Sequence, residues 1–400
     1  MKTESIFLQD FFNRLNETGI NYAVLRNYEP LPYSLGGSDL DILVAPTNAV
    51  AARDMIESFA HSHGLKLIVK YSVTTKILRF CGKKDSVWLG FPIDIYTALE
   101  YRGLEYADSY AVLERAEDWA GVRVLSKGDA GVLTLLKECL ANSCSRKNYL
   151  EKAATAYTTN PRGYASSLEF YFGVEAATEF AEYLQTNNED AALLRKLSAT
   201  LRRSLFFKSL RKSTLKTIQI KIRTYAKRIF RLISPPGLTV AVLGTDGSGK
   251  STIIASIETV LSQALHNKSR YDHLRPNLLP SIAKLFGKPG STGPVTNPHA
   301  SVPSGFLGSL ARVSYYTLDY IFGYWVKVYP ALVKRPTLHI FDRYYYDYLI
   351  DPKRARIQLP EWIIKAVGFL IPKPDLILCL GAAPDVIYAR KPELPFDGKR

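Results

Sequence analysis

An apolar run from Leu238 to Gly244 leads directly into Thr245-Asp246-Gly247-Ser248-Gly249-Lys250-Ser251-Thr252, and then into the helical pattern STIIASIETVLSQAL. Residues 244–251 match G-x-x-x-x-G-K-[ST] in the context that gives the pattern meaning, after a strand and before a helix. Glycines let the loop wrap with its amide N–H groups pointing inward, so a polyphosphate meets those donors and the positive end of the following helix. The spacing assigns Lys250 to the β- and γ-phosphates and Ser251 to a magnesium ion. ATP or a similar nucleoside triphosphate is the expected ligand.

The surrounding sequence fits one architecture. Runs such as LTVAVLG, TLHIF before Asp342 and DLILCL before Gly381 read as strands buried on both faces. They alternate with helical stretches, which predicts an α/β domain with a parallel sheet and helices on both faces. The breaker cluster Ser234-Pro235-Pro236-Gly237 sets its start, so the domain runs over 234–400. Residues 1–125 mix short β-rich runs with helix-like stretches and read as a separate α/β domain. Residues 126–233 read as successive helices, opening with Ser126 as N-cap and Asp129 three residues on.

From the loop onward, residues 238 to about 391 resemble the thymidylate kinase family. The resemblance rests on the loop form G-x-D-G-x-G-K-S-T, on Phe341-Asp342-Arg343-Tyr344, and on Pro374-Asp375-Leu376-Ile377-Leu378 followed by Ala383-Pro384-Asp385-Val386. It implies that Asp342 helps hold the metal, that Arg343 grips the acceptor phosphate, and that Arg390 and Lys391 open a lid. His273-Leu274-Arg275-Pro276 falls where the family carries its acceptor loop, which makes His273 and Arg275 acceptor contacts. Phosphoryl transfer asks mainly for positioning and positive charge, so arginines facing a P-loop suit it independently of the resemblance.

Departures from the family leave the acceptor open. The arginine that reads thymine has no counterpart in Leu318-Asp319-Tyr320-Ile321-Phe322, Tyr345-Tyr346-Asp347-Tyr348 replaces a Tyr-Gln element, and a Pro/Gly-rich insert runs from Pro276 to Pro303. A nucleotide, a sugar or another small molecule would serve. A hydroxyl acceptor would need a carboxylate base, for which Asp246 and Asp347 are the candidates. The chain stops at Arg400, before the closing helix that the resemblance implies, so a fragment is one reading.

Near the N-terminus, Gly36-Gly37-Ser38-Asp39-Leu40-Asp41-Ile42-Leu43-Val44 puts two aspartates on the same face of a strand. Asp94, in Phe91-Pro92-Ile93-Asp94-Ile95-Tyr96, stands in another alternating strand, where it would complete an oxygen-rich magnesium site. Residues 5 to about 140 resemble a minimal nucleotidyltransferase fold, although Arg26 and Asn27 stand where that family carries Gly-Ser to hold a triphosphate. The resemblance implies Mg-dependent nucleotidyl transfer or, alternatively, ligand binding without catalysis, and plain surface aspartates are the third reading of the cluster.

Charge is unevenly distributed. The net charge is +15, and between Asp190 and Asp246 there are 13 Lys and Arg residues and no acidic one. Apolar residues interleaved with the basic ones over 202–231 suit a helix on an anionic membrane surface. Nucleic acid is the other polyanionic partner, and a connecting helix with its apolar face packed inward is the third reading. Four cysteines at no metal-binding or redox spacing, no signal segment and no spanning helix predict a cytoplasmic protein, peripheral at most to the inner face of the membrane. An ATP-dependent phosphotransferase follows from these features, with a non-catalytic ATP-binding regulatory or assembly protein as the alternative.

Overall fold

The computed structural model describes residues 2–72, 75–142, 147–185, 191–212, 214–265, 269–280, 282, 304–334, 336–383 and 386–387. The chain divides into two compact units, Met1–Phe230 and Arg231–Arg400.

The first unit begins with α1 (Lys2–Glu17), β1 (Tyr22–Val24), β2 (Leu40–Val44), α2 (Ala49–Ser62), β3 (Leu65–Ser72), β4 (Lys76–Lys84), β5 (Val87–Tyr96), β6 (Leu99–Tyr101) and β7 (Leu104–Ala107). It continues with α3 (Ser109–Glu114), β8 (Ala116–Trp119), β9 (Val122–Leu125), α4 (Lys127–Asn142), α5 (Lys147–Thr159), α6 (Pro161–Phe172), α7 (Val174–Gln185), α8 (Ala191–Lys212) and α9 (Thr214–Ile233), whose last three residues belong to the second unit. Seven strands form a mixed sheet in the order β3-β4-β5-β2-β1-β9-β8.

The two-residue period of β2 sorts its side chains. Leu40, Ile42 and Val44 join Phe7, Phe11, Phe12 and Leu15 of α1 in one core. Leu43 faces the opposite core, built with Leu135 of α4, Tyr164 of α6 and Phe180 of α7. The amphipathic first helix and the helices after Ser126 therefore cover opposite faces of one sheet. Ser126 caps α4, its Oγ accepting from the Asp129 amide at 3.1 Å. Asp129 itself is fully buried and takes two hydrogen bonds from the Arg115 guanidinium, both at 2.9 Å.

In the second unit, β10 (Leu238–Gly244), α10 (Lys250–Leu265), β11 (Ser269–His273), β12 (Leu338–Asp342) and β13 (Leu376–Leu380) form the expected α/β pattern. All four strands are parallel, in the order β11-β12-β10-β13. Ala241, Leu243 and Phe341 pack with Val313 and Tyr320 of the helix Phe306–Gly323, while α10 lies against β10, β11 and β12. Alternation of side chains along β10 and β12 puts these helices on the two faces of the sheet.

One strand departs from expectation. DLILCL reads as a buried run, yet Leu376 is 51% exposed and Ile377 38%. Continuous apolarity marks a strand suited to a covered position, and among the described residues β13 pairs with β10 alone. No described helix is long and apolar enough to cross a membrane.

Candidate functional site

The parallel register brings the carboxyl ends of the second sheet together, with Val242 opposite Asp342, His273 opposite Asp342 and Gly244 opposite Leu380. Ligands of open α/β sheets bind at this edge. Here the loop 245–249 connects β10 to α10, and Gly244, Gly247 and Gly249 all take positive φ, the backbone shape that a loop wrapping a phosphate would need. A Cβ on Gly244 would lie 2.6 Å from Leu380 O and 2.7 Å from Ser248 Oγ, so this position admits only glycine. Thr245 is exposed between them, and Ser251 and Thr252 are exposed on the first turn of α10.

Lys250 is buried, and its Nζ donates to Gly244 O at 3.0 Å and Thr245 O at 2.9 Å, with Asp246 Oδ1 at 3.5 Å. Burial and the charge of Arg343 hold its ammonium below the usual lysine range. Asp246 sits at the centre of a charge cluster, bonded to Arg343 and, at 2.9 Å, to Arg354 Nη1. Burial alone would raise its carboxyl, but Arg343, Arg354 and Lys250 outweigh burial and bring it down to about 2.

Arg343 follows β12 with φ at 74°, a left-handed conformation uncommon for a residue with a side chain, and its amide donates to Val242 O at 2.9 Å. That turn points the guanidinium back toward the loop, where Asp246 and Asp347 hold it, the latter at 2.5 Å. Both candidate bases are thus engaged by one arginine. Asp342 accepts from Tyr271 Oη at 3.0 Å, with His273 Nδ1 at 3.5 Å from the same oxygen. Its other oxygen, Oδ1, is buried and has no hydrogen-bond partner among the described residues. An anionic oxygen in that state fits a cation, which makes Asp342 a candidate to hold a metal ion.

Beside Arg343 opens a cavity of about 770 Å³, lined among others by His273, Arg275, Arg312, Tyr316, Arg354 and Arg356. Arg275, read from sequence as an acceptor contact, lines it but is also committed structurally. Its Nη1 donates at 3.1 Å to Asp319, a fully buried carboxylate that accepts the amides of Asn277 at 3.2 Å and Leu279 at 2.6 Å as well. Tyr316 stacks on Tyr348, with ring centroids 5.4 Å apart. Sequence reasoning missed Arg312, Arg354 and Arg356. The only local signal for the last two was the basic run Lys353-Arg354-Ala355-Arg356 after Asp351-Pro352. Arg390 and Lys391 lie outside the described residues, as does most of the insert before Pro303.

In the first unit, Asp41 and Asp94 stand directly opposite each other in the β2–β5 pairing, and Asp39 is close to both. Arginines bind all three. Arg26 Nε donates to Asp41 at 2.6 Å, and Arg79 reaches Asp94 at 2.7 Å and Asp39 at 3.1 Å. Burial outweighs Arg79 and, with repulsion from Asp39 and Asp41, pushes the Asp94 carboxyl up to about 6. Among the described residues no three His, Cys, Asp or Glu side chains form a metal-holding group. Guanidinium groups stand where a cation was expected.

No known protein-family profile matches the chain. Thymidylate kinases from three strains of Xanthomonas campestris pv. campestris (B100, 8004 and ATCC 33913) are each 28% identical over 159 residues, covering 40% of this chain and 62% of the relative. The chain is weakly similar to thymidylate kinases. It spans less than two thirds of the length of those relatives. Among solved structures, thymidylate kinase from Ehrlichia chaffeensis aligns at 18% identity with a TM-score of 0.27, over 39% of this chain and 82% of that one.

Proposed function

We propose that the second unit transfers the γ-phosphoryl group of magnesium-bound ATP to an anionic small-molecule acceptor held in the cavity beside Arg343. The observation that carries this reading is the juxtaposition of a glycine-wrapped loop and Lys250 with Asp342, Arg343 and an arginine-lined cavity, all at one edge of a parallel sheet. Loop amides and Lys250 would receive the β- and γ-phosphates. Ser251 and Asp342 would hold magnesium, which supplies positive charge to the phosphate oxygens.

The ion pairs narrow the acceptor. Asp246, held down to about 2, is a weak base, and Asp347 is bound to Arg343. A phosphate oxygen needs no base, because it is already anionic, whereas a hydroxyl does. The reading is therefore transfer to a phosphomonoester, with an oxygen of the acceptor phosphate attacking the γ-phosphorus as its bond to the bridging oxygen breaks and ADP leaves. Arg343, Arg354 and Arg312 would orient the acceptor and balance its charge. The similarity to thymidylate kinases supports the reaction class, and the same cavity would take nucleotides or sugar phosphates.

The test is transfer of radiolabel from γ-labelled ATP to a panel of nucleoside monophosphates, sugar phosphates and unphosphorylated sugars. Labelled product from a phosphorylated acceptor, lost in Arg312→Ala and Arg354→Ala through a raised KM, is expected. Magnesium-ATP binding without transfer to any acceptor would instead support the regulatory alternative.

A second reading concerns the first unit, where the direct register of Asp41 with Asp94 favours metal-dependent nucleotidyl transfer once Arg26 and Arg79 release the carboxylates. Asn at both Asp39 and Asp41 should abolish such transfer. Equal activity in the double variant removes that site.

A further inference from the structure

Helix α9 is attached to its unit by the face that carries the fewest apolar residues. Thr217 is buried and donates to Ser209 O at 2.9 Å, and Ile220 and Thr224 lie so close to Gly103 that a Cβ there would collide with Thr224 Oγ1. The apolar stripe points the other way. Leu215, Ile218, Ile222, Tyr225 and Ile229 recur at intervals of three and four, on one side of a helix with 3.6 residues per turn, and are 84%, 50%, 65%, 58% and 59% exposed. A helix that served only to connect would turn this stripe inward.

The borders of the stripe are cationic. Lys221 and Arg228 stand on one flank and Arg223 on the other, within a segment holding 13 basic residues and no acidic one. Lys221 is partly buried, with its ammonium over the Phe206 ring at 5.8 Å, and burial together with the charges of Arg102 and Arg228 holds it below its usual range. Two copies meeting through the stripe would oppose like charges along both flanks, as at the borders of a coiled coil without acidic partners. An anionic bilayer satisfies both features at once, because the stripe enters the acyl boundary while lysine and arginine meet lipid phosphates.

We propose that α9 is an in-plane membrane anchor that docks the protein on anionic phospholipid, with Leu215, Ile218, Ile222, Tyr225 and Ile229 inserted and Arg223 and Arg228 at the headgroups. Each basic residue near an anionic surface contributes about fivefold to partitioning. The assay is flotation of the full chain with vesicles of pure phosphatidylcholine and of phosphatidylcholine with phosphatidylglycerol, at low and high salt.

The expected result is flotation with the anionic vesicles only, weakened by salt. Arg223→Glu with Arg228→Glu should reduce it at least about 25-fold, and Ile222→Glu with Ile229→Glu should abolish it. These four side chains are exposed, and an unchanged thermal melt checks that the fold survives. No flotation at low salt overturns the proposal, and so does flotation indifferent to the two isoleucine substitutions. Loss of a concentration-dependent dimer in that isoleucine variant, without vesicle binding by the wild type, would reassign the stripe to self-association. Retention on nucleic acid but not on vesicles would reassign the charge to a nucleic-acid partner.

Discussion

Asp246→Asn removes the carboxylate on which Arg343, Arg354 and Lys250 converge. The fall of its pKa from 3.8 to about 2 corresponds to roughly 2 kcal/mol favouring the ionised folded state. With the side chain 32% exposed, solvent screening reduces this to about 1–2 kcal/mol. The sign follows from proton linkage. A carboxyl whose folded pKa is depressed contributes its stability in full above about pH 4 and loses it as pH falls toward 2. Urea titrations followed by hydrogen exchange of β10 and β12 peptides isolate the second unit from the first. The variant should be about 1–2 kcal/mol less stable than wild type at pH 7, with a visibly smaller gap at pH 3. A variant equal in stability at pH 7, or a gap of the same size at both pH values, would refute the reasoning.

Gly244→Ala forces a Cβ against Leu380 O and Ser248 Oγ at a φ of 153°, so it should cost about 2–4 kcal/mol in the second unit and weaken magnesium-ATP binding at least about tenfold by calorimetry. Asp319→Asn leaves the Arg275 guanidinium, 9% exposed, without its buried counter-charge, and denaturant midpoints should report a loss of about 3 kcal/mol. The same variant should raise the acceptor KM more than it lowers nucleotide affinity, because Asp319 fixes the loop 275–279 at the cavity wall rather than the loop 244–252.

How much of this was legible depended on whether local chemistry or tertiary contact decides a residue's role. The shape of the loop 244–249 was readable because positive φ at Gly244, Gly247 and Gly249 is a demand of the backbone itself. The shared face of Asp39 and Asp41 was equally readable, since a strand has a period of two. Their partners were not, because Arg79 stands on a different strand and nothing in its own neighbourhood marks it as the counter-charge for Asp39 and Asp94. Asp319 looked like the absence of a base-reading arginine, yet it holds Arg275 from 44 positions away. The apolar period of α9 was plain from sequence. Which side of that helix packs was decided by Gly103 and Ser209, at positions the periodicity does not reach.

The central claim is that the loop 244–252 and Lys250 bind a triphosphate, and the most direct measurement is equilibrium titration of the full chain with magnesium-ATP, comparing wild type with Lys250→Ala. Saturable binding by the wild type, weakened at least about tenfold in the variant, is the predicted result. No saturable binding of any magnesium nucleotide, or equal affinity in the variant, would contradict the account.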